Sequence, residues 1–498
     1  MNTCPVDRSY HRFSVMALIG LMLAVPGCGA RPAELAPNAV APSPEQLAYH
    51  QMEYIGFIHF TVNTFTDREW GYGNESPGIF DPSQLDPDQW ARVAAEAGMK
   101  ELILTAKHHD GFCLWPSEYT DHSVRNSPWK NGEGDLVGEF VAACRRHALK
   151  VGLYLSPWDR NHADYGTPAY LDYYRNQLRE LLTRYGEITE IWVDGANGGT
   201  GWYGGADEER RIDRSTYYEW DETFALVKSL MPGVLIFSDA GPDIRWIGNE
   251  RGYAGETCWS MIKADRVTIG ASDQAYLNTG DPEGTHWTIP LCDTSIRPGW
   301  FYHADQDERV KQLPELLEVW YRSIGRNGVL LLNLPPDQRG LIHDNDIAAL
   351  NDLRRVLDET FAVDLAAGKS VISDQHRLGH RKFAPGNLTD DNPDSYWAAE
   401  DRIRMATLEV ELGSKTVFDR IELREPIRFG QRISEFSIDA LFDGEWREIT
   451  RGTTIGYRRI LRIFPIATDR VRIRITRANN TPALSHFGLF KASTGEVE

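Results

Sequence analysis

The chain has 498 residues, 42% of them apolar and 25% charged. These proportions support a large core and about two to four domains, and they exclude a disordered or collagen-like chain. Lysines and arginines number 53 against 72 aspartates and glutamates, a net charge of -19 that weighs against nucleic acid or an anionic membrane face as partner.

The first apolar stretch, Phe13 to Val25, follows Arg8 and Arg12. It is too short to span a bilayer and has the flanks of a secretory signal. The run Val25-Pro26-Gly27-Cys28 resembles a bacterial lipobox, which implies cleavage before Cys28 and acylation of its thiol. Ordinary cleavage and a soluble exported protein is the plainer alternative. We therefore expect a signal peptide over 1–27 and a flexible tether over 28–46, where Ala and Pro recur without periodicity. The protein is expected in the periplasm or at the outer membrane, touching the bilayer only through a lipid on Cys28. Of the six cysteines, Cys4 lies in the signal, and Cys113, Cys144, Cys258 and Cys292 show no CxxC spacing. A zinc site on them is not expected, and one disulfide of undetermined pairing is open to an exported chain.

From Tyr54 to about Glu359, short apolar runs alternate with amphipathic segments. Strands are expected at 54–58, 101–105, 151–155, 190–193, 234–237 and 328–332, with helices over 88–97 and 170–184. Near-continuous apolar strands separated by helices indicate a parallel sheet covered on both faces. The length suits a (β/α)8 barrel over 47–362, whose two remaining strands should fall near 255–259 and 298–302. A last helix is expected over 341–360, capped by Asp344 or Asn345. Beyond it, Leu408–Leu412, Ile421–Leu423 and Val471–Ile475 alternate apolar and polar residues. That pattern is an antiparallel sheet with one wet face, so 363–498 is expected to be a separate β-sandwich.

Polar and aromatic residues follow the apolar runs directly: His59, Lys107-His108-His109-Asp110, Ser156-Pro157-Trp158-Asp159 and Asp194-Gly195. In a barrel these positions converge on one mouth. Asp194, beside Trp192 and before a glycine that allows close approach, suits a nucleophile; alone, such an aspartate is more often structural. Adjacent residues on a strand point to opposite faces, which disfavours joint metal ligation by His108 and His109 and makes one packed and one exposed imidazole the plainer reading. Trp70, Trp115, Trp158, Trp192, Trp259 and Trp300 all fall at strand ends or in the following loops, where broad aromatic faces suit sugar rings. Carboxylates, histidines and aromatics with neither a metal-ligand set nor a phosphate loop point to a glycosidase, which needs two carboxyl groups. The second carboxyl is Glu250 or Glu256. Glu250 is preferred, because Trp246 and Tyr253 could shield it and raise its pKa, as a general acid requires.

Four segments then show a family resemblance. Ile58-His-Phe-Thr-Val-Asn-Thr-Phe-Thr-Asp-Arg-Glu-Trp-Gly-Tyr-Gly-Asn-Glu75 resembles the first motif of the α-L-fucosidases of glycoside hydrolase family 29. Leu102-Ile-Leu-Thr-Ala-Lys-His-His-Asp-Gly-Phe-Cys-Leu-Trp-Pro-Ser117 is similar to that family's paired-histidine motif. Ile191-Trp-Val-Asp-Gly-Ala-Asn197 resembles its nucleophile strand, and Arg326-Asn-Gly-Val-Leu-Leu-Leu-Asn-Leu-Pro-Pro-Asp337 its last barrel strand. The resemblance covers about residues 50–360. It implies a retaining exo-glycosidase that releases terminal α-L-fucose, with Asp194 as nucleophile and Glu250 as acid/base. It also implies that His59, Glu69, His108 and His109 bind the fucose hydroxyls and that Trp70, Trp158 and Trp192 line the ring pocket. The spellings Phe-Thr-Asp-Arg-Glu-Trp-Gly and Gly-Pro-Asp-Ile-Arg-Trp look like the branch that prefers α-1,3/1,4-linked fucose, where Trp300 would meet the neighbouring sugar.

Asn387-Leu-Thr-Asp-Asp-Asn-Pro-Asp-Ser-Tyr-Trp397 is similar to the start of discoidin-like modules. Those often bind galactosides and carry a structural calcium, which the acidic loop 390–394 would hold here; the plainer reading is a turn-rich connection in a supporting domain. No other cofactor is expected. Two alternatives stand beside the glycosidase. One is a glycan-binding surface protein with a silenced barrel, against which the intact Asp194 and histidine pair argue. The other is a metal-dependent hydrolase using His59, His108, His109 and Asp194, against which the adjacency of the histidines argues.

Overall fold

The computed structural model describes residues 33–194, 200–203, 205–373 and 375–496. The signal peptide, Cys28 with its expected acylation, and Gly195 to Asn197 lie outside the described residues.

Eight parallel strands close into a barrel in sequence order: β1 (Tyr54–Ile58), β2 (Glu101–Lys107), β3 (Lys150–Leu155), β4 (Glu190–Trp192), β5 (Leu235–Ser238), β6 (Ile244–Trp246), β7 (Ile289–Ser295) and β8 (Val329–Asn333). Every strand is buried almost throughout, because helices cover the outside and side chains fill the inside. The inner layer is built on Ile55, Phe57, Ile103, Leu291 and Leu331. The six strands read from apolar runs are in place, shifted at their ends by two residues or fewer.

The other two are not where the sequence suggested. They lie at 244–246 and 289–295, not near 255–259 and 298–302. β6 is three residues long with a buried arginine at its centre, and β7 carries Pro290, Asp293, Thr294 and Ser295, so neither reads as an apolar run. Only the segment from Asp239 to Asp243 joins β5 to β6, and it contains no helix. The strand–helix alternation on which the reading relied therefore fails at this point.

The helix Pro87–Glu96 begins where the Asp86 side chain accepts from Asp88 N. Pro168–Arg184 agrees with the expected span. The last helix of the barrel, Asp344–Phe361, is capped not by Asp344 or Asn345 but by His343, whose ring nitrogen accepts from Asn345 N at 3.2 Å.

At the lower end of the barrel two carboxyls are sealed in. Glu190 accepts a 2.6 Å hydrogen bond from the Tyr49 hydroxyl, and both oxygens of Glu101 are buried without a hydrogen-bond partner among the described residues. Burial raises both groups, Glu190 from 4.5 to about 8, so the folded chain holds protons that unfolded carboxyls release. Stability therefore falls as pH rises from 4.5 through about 8. We expect the melting temperature to drop across that window and Glu101→Gln to flatten the drop; thermal denaturation at several pH values checks this.

Beyond residue 363 lies an antiparallel β-sandwich built on two long strands, Ala406–Arg424 and Arg459–Ala478. These pair with each other and with Ile433–Phe442, Ser370–Ile372 and His486–Phe490. Burial alternates from Ala406 to Leu412, as the period-two pattern predicts, and becomes continuous from Phe418 to Leu423. The acidic loop is closed by its own side chains: Asp390 accepts from Asn392 N and Ser395 Oγ, and Asn392 from Asp394 N. Residues 35–43 do not form the flexible tether expected of them. They run along the sandwich, with Leu35 buried and Asn38 N bonded to Phe429 O. Cys113, Cys144, Cys258 and Cys292 are buried free thiols, so the disulfide left open by the sequence is not formed among them.

Candidate active site

The carboxyl ends of the strands open on a cavity of about 640 Å³. His59 follows β1, His108 and His109 follow β2, Asp194 follows β4 and Asp239 follows β5; all five line it, as do Trp246, Asp293 and Trp300.

Both histidines of the pair face this cavity, with ring centroids 4.1 Å apart, contrary to the expectation of one packed and one exposed ring. The strand ends at Lys107, and a register shift precedes it, so the alternation of a strand no longer governs the next two residues. Below the turn, Lys107 pairs with Asp159 at 3.0 Å, both buried. Gly111 takes φ +79°, and a Cβ there would lie 2.5 Å from Asp159 Oδ1, so only glycine lets the turn pass this close.

The hydrogen bonds fix the histidine tautomers. Ser156 Oγ donates to Trp158 O at 2.6 Å, so at 2.7 Å it accepts from His109 Nδ1. The Asn333 amide donates to Ser295 Oγ and Trp300 O, leaving its oxygen to accept from His59 Nδ1 at 2.7 Å. Burial holds His59 and His109 far below the ordinary imidazole value, at about 3, and His108 is lowered in the same way. His59 and His109 are thus neutral rings whose Nε2 lone pairs remain for a substrate hydroxyl.

Asp194 stands two residues past the end of β4, with its side chain 21% exposed. The Tyr154 hydroxyl donates to its Oδ2 at 2.9 Å, and His109 Nε2 lies 3.6 Å from the same oxygen. Trp192 stacks on Phe237 at 3.9 Å and meets Phe57 at 5.1 Å, which makes an apolar floor. Glu69 accepts from Trp300 N at 3.0 Å and is bonded to His303 at 2.7 Å. Burial lowers His303, but its bonds to Asp67 and Glu69 outweigh this and raise it above the ordinary value.

The structure separates the two glutamates. Glu250 lines the cavity, where Trp300 Nε1 donates to it at 3.3 Å. Glu256 lies at the seam with the sandwich, paired with Arg326 at 2.6 Å and with Arg459. The expected shielding of Glu250 by Trp246 and Tyr253 is absent, for Glu250 is exposed. Asn249 accounts for this: its side chain bonds Tyr253 N and O, and the Tyr253 ring turns away onto Arg322.

Of the six tryptophans singled out at strand ends, Trp70, Trp192 and Trp300 line the cavity, as does Trp246. Trp158 does not; it lies one layer back, its ring centroid 4.5 Å from that of His109 and 5.6 Å from that of Trp70. Trp115 and Trp259 are core residues. Sequence reasoning gave no site role to Asp239, Asp293 or Tyr154. Asp293 accepts from Trp246 Nε1 at 2.8 Å and is raised by burial and by the nearby Glu250. A carboxyl inside a strand that also contains a proline gave no sequence signal. Among the described residues, no group of three or more His, Cys, Asp or Glu side chains is arranged to hold a metal ion.

The α-L-fucosidase family profile matches residues 42–359. The chain belongs to the α-L-fucosidase family. An F5/8 type C domain, the discoidin-like module expected from the sequence, matches residues 370–487. Relatives of this fucosidase include α-L-fucosidase 1 of Arabidopsis thaliana, 42% identical over 454 residues covering 90% of this chain and 87% of that one. The α-L-fucosidase of Dictyostelium discoideum is 32% identical over 323 residues, 61% of this chain and 58% of that one. A glycoside hydrolase family 29 fucosidase of Ruminococcus gnavus, solved in complex with fucose, superimposes with a TM-score of 0.85 at 33% identity, covering 94% of this chain and 98% of that one. The protein is therefore a glycoside hydrolase, an α-L-fucosidase, and fucosylated glycans are its substrate class.

Proposed function

We propose that this α-L-fucosidase works by retaining double displacement in the cavity described above, with Asp194 as nucleophile and Glu250 as acid/base. Asp194 attacks the anomeric carbon as Glu250 protonates the departing glycosidic oxygen. Glu250 then takes a proton from water, whose oxygen displaces Asp194 and frees fucose. The observation that carries this reading is the convergence of both carboxyls and three buried imidazoles on one cavity. The neutral rings of His59 and His109 offer acceptors to the sugar hydroxyls, with His108 and Glu69 beside them. The floor of Phe57, Trp192 and Phe237 offers an apolar face to the deoxygenated carbon of fucose.

The finer part of the proposal is a preference for fucose linked α-1,3 or α-1,4 on branched glycans, which rests on the motif spellings around Glu69 and Arg245 and fits a cavity larger than one sugar ring. The test sets purified protein against an aryl α-L-fucoside, Lewis-type glycans and 2′-linked fucosides. Fucose released from the 3- and 4-linked branched glycans and not from the 2′-linked ones is the expected result. Comparable release from the 2′-linked substrates rejects the linkage preference.

A further inference from the structure

The cavity has two zones of different chemistry. The inner zone is the ring of histidines, aromatics and Asp194. The outer zone is formed by the loop 268–274 with Asp239 and Arg214. This loop closes on itself: Ser272 Oγ donates to Thr268 O at 2.8 Å and accepts from Thr268 N at 3.0 Å. Asp239 ties it to the barrel, its Oδ2 accepting from Gly270 N at 2.8 Å. Gly270 takes φ +79°, a left-handed turn that presents its N–H to the carboxylate. Asp239 itself follows β5 by one residue and so is positioned by the same strand end as the apolar floor.

We propose that Asp239 is a specificity-determining anchor: by holding Gly270 it fixes the loop 268–274 as the wall of a leaving-group subsite, against which the sugar that carries fucose is seated. The inference rests on the reading of the inner zone as the fucose site. The occupant is a neutral branched oligosaccharide. Its hydroxyls meet the amide of Gln274 and the guanidinium of Arg214, both exposed at the cavity wall with no hydrogen bond or ion pair among the described residues. The inner zone has apolar and imidazole surfaces for one small ring. The outer zone has donors and acceptors for a larger, more hydrated one, and the cavity of about 640 Å³ has room for both. Burial raises Asp239 to about 6, with Asp194 adding to the rise and the Gly270 bond opposing it.

The experiment compares kcat/KM for a branched trisaccharide bearing α-1,3- or α-1,4-fucose with that for an aryl α-L-fucoside, whose leaving group carries no sugar hydroxyls to meet the wall. In Asp239→Ala the ratio of the two should fall about tenfold, mostly through KM for the trisaccharide, the size expected from losing one well-placed hydrogen bond. Asp239→Asn should restore the ratio, because its amide oxygen accepts from the same N–H. A ratio unchanged in Asp239→Ala, or an asparagine variant as impaired as the alanine one, overturns the proposal. If Asp239→Ala does not fold, the double variant Arg214→Ala/Gln274→Ala, confined to exposed side chains, should lower the same ratio, and an unchanged ratio there overturns it equally. Failure of the underlying site reading shows separately, as aryl fucoside hydrolysis that survives Asp194→Gly.

Discussion

With Asp194 replaced by glycine, kcat on an aryl α-L-fucoside falls by a factor on the order of 10⁴, the scale seen when a nucleophile that acts with its neighbours is removed. Added azide then restores turnover and yields fucosyl azide. The geometry gives the reason. The Tyr154 hydroxyl holds one oxygen of Asp194 at 2.9 Å, and Val193 N is bonded to Phe237 O at 3.0 Å, so the proposed nucleophile is set before substrate arrives. Deleting the carboxylate leaves a space beside the anomeric carbon that a small anion can enter. A nitrogen of azide bonds to that carbon as the leaving oxygen departs with its electron pair. Product analysis by NMR and a kinetic titration with azide decide the matter; a glycine variant that turns over near the native rate, without azide, removes Asp194 from the mechanism.

Glu250→Ala has the second largest expected effect, a loss of about 10²- to 10⁴-fold on glycan substrates, whose leaving oxygen needs a proton. On a fucoside with a strongly acidic leaving group, such as a dinitrophenolate, formation of the fucosyl-enzyme needs no proton and should be nearly unaffected, so a burst of phenolate precedes slow turnover. Glu256→Ala is the contrasting variant. It strips Arg326 and Arg459 of their carboxylate at the domain seam, so its effect belongs in the melting temperature and not in kcat. Equal losses for Glu250→Ala on good and poor leaving groups would reject the acid/base role.

Much of the architecture was legible because a parallel strand buried on both faces announces itself as an apolar run, as Glu101–Lys107 and Val329–Asn333 do. β7 was hidden for the opposite reason: Asp293 lines the cavity and Ser295 holds the Asn333 amide that faces His59, so polar residues of the site erase the apolar signal of the strand that carries them. The paired histidines were legible as residues but not as geometry. Their shared orientation comes from a turn that depends on Gly111 and on the Lys107–Asp159 pair, contacts distant in sequence. Nearby aromatics pointed to Glu250, which lines the cavity, although the shielding invoked for it is absent. What sets them apart is the arginine pair at the seam, which no local pattern reveals. The packing of residues 35–43 was likewise invisible, because an Ala- and Pro-rich stretch has the same composition whether it hangs free or lies against a sheet.

The helix-free link between β5 and β6 constrains how such an enzyme can diverge. Five residues leave no slack, so an insertion there would drag the sixth strand out of register and spoil the apolar floor and the Trp246–Asp293 bond together. The loop from 263 to 273 faces no such penalty, being mostly irregular, largely solvent-facing and joined to the barrel wall through Asp239. Descendants of this scaffold should therefore acquire tastes for new glycans by remodelling that excursion, while the short link stays fixed in length.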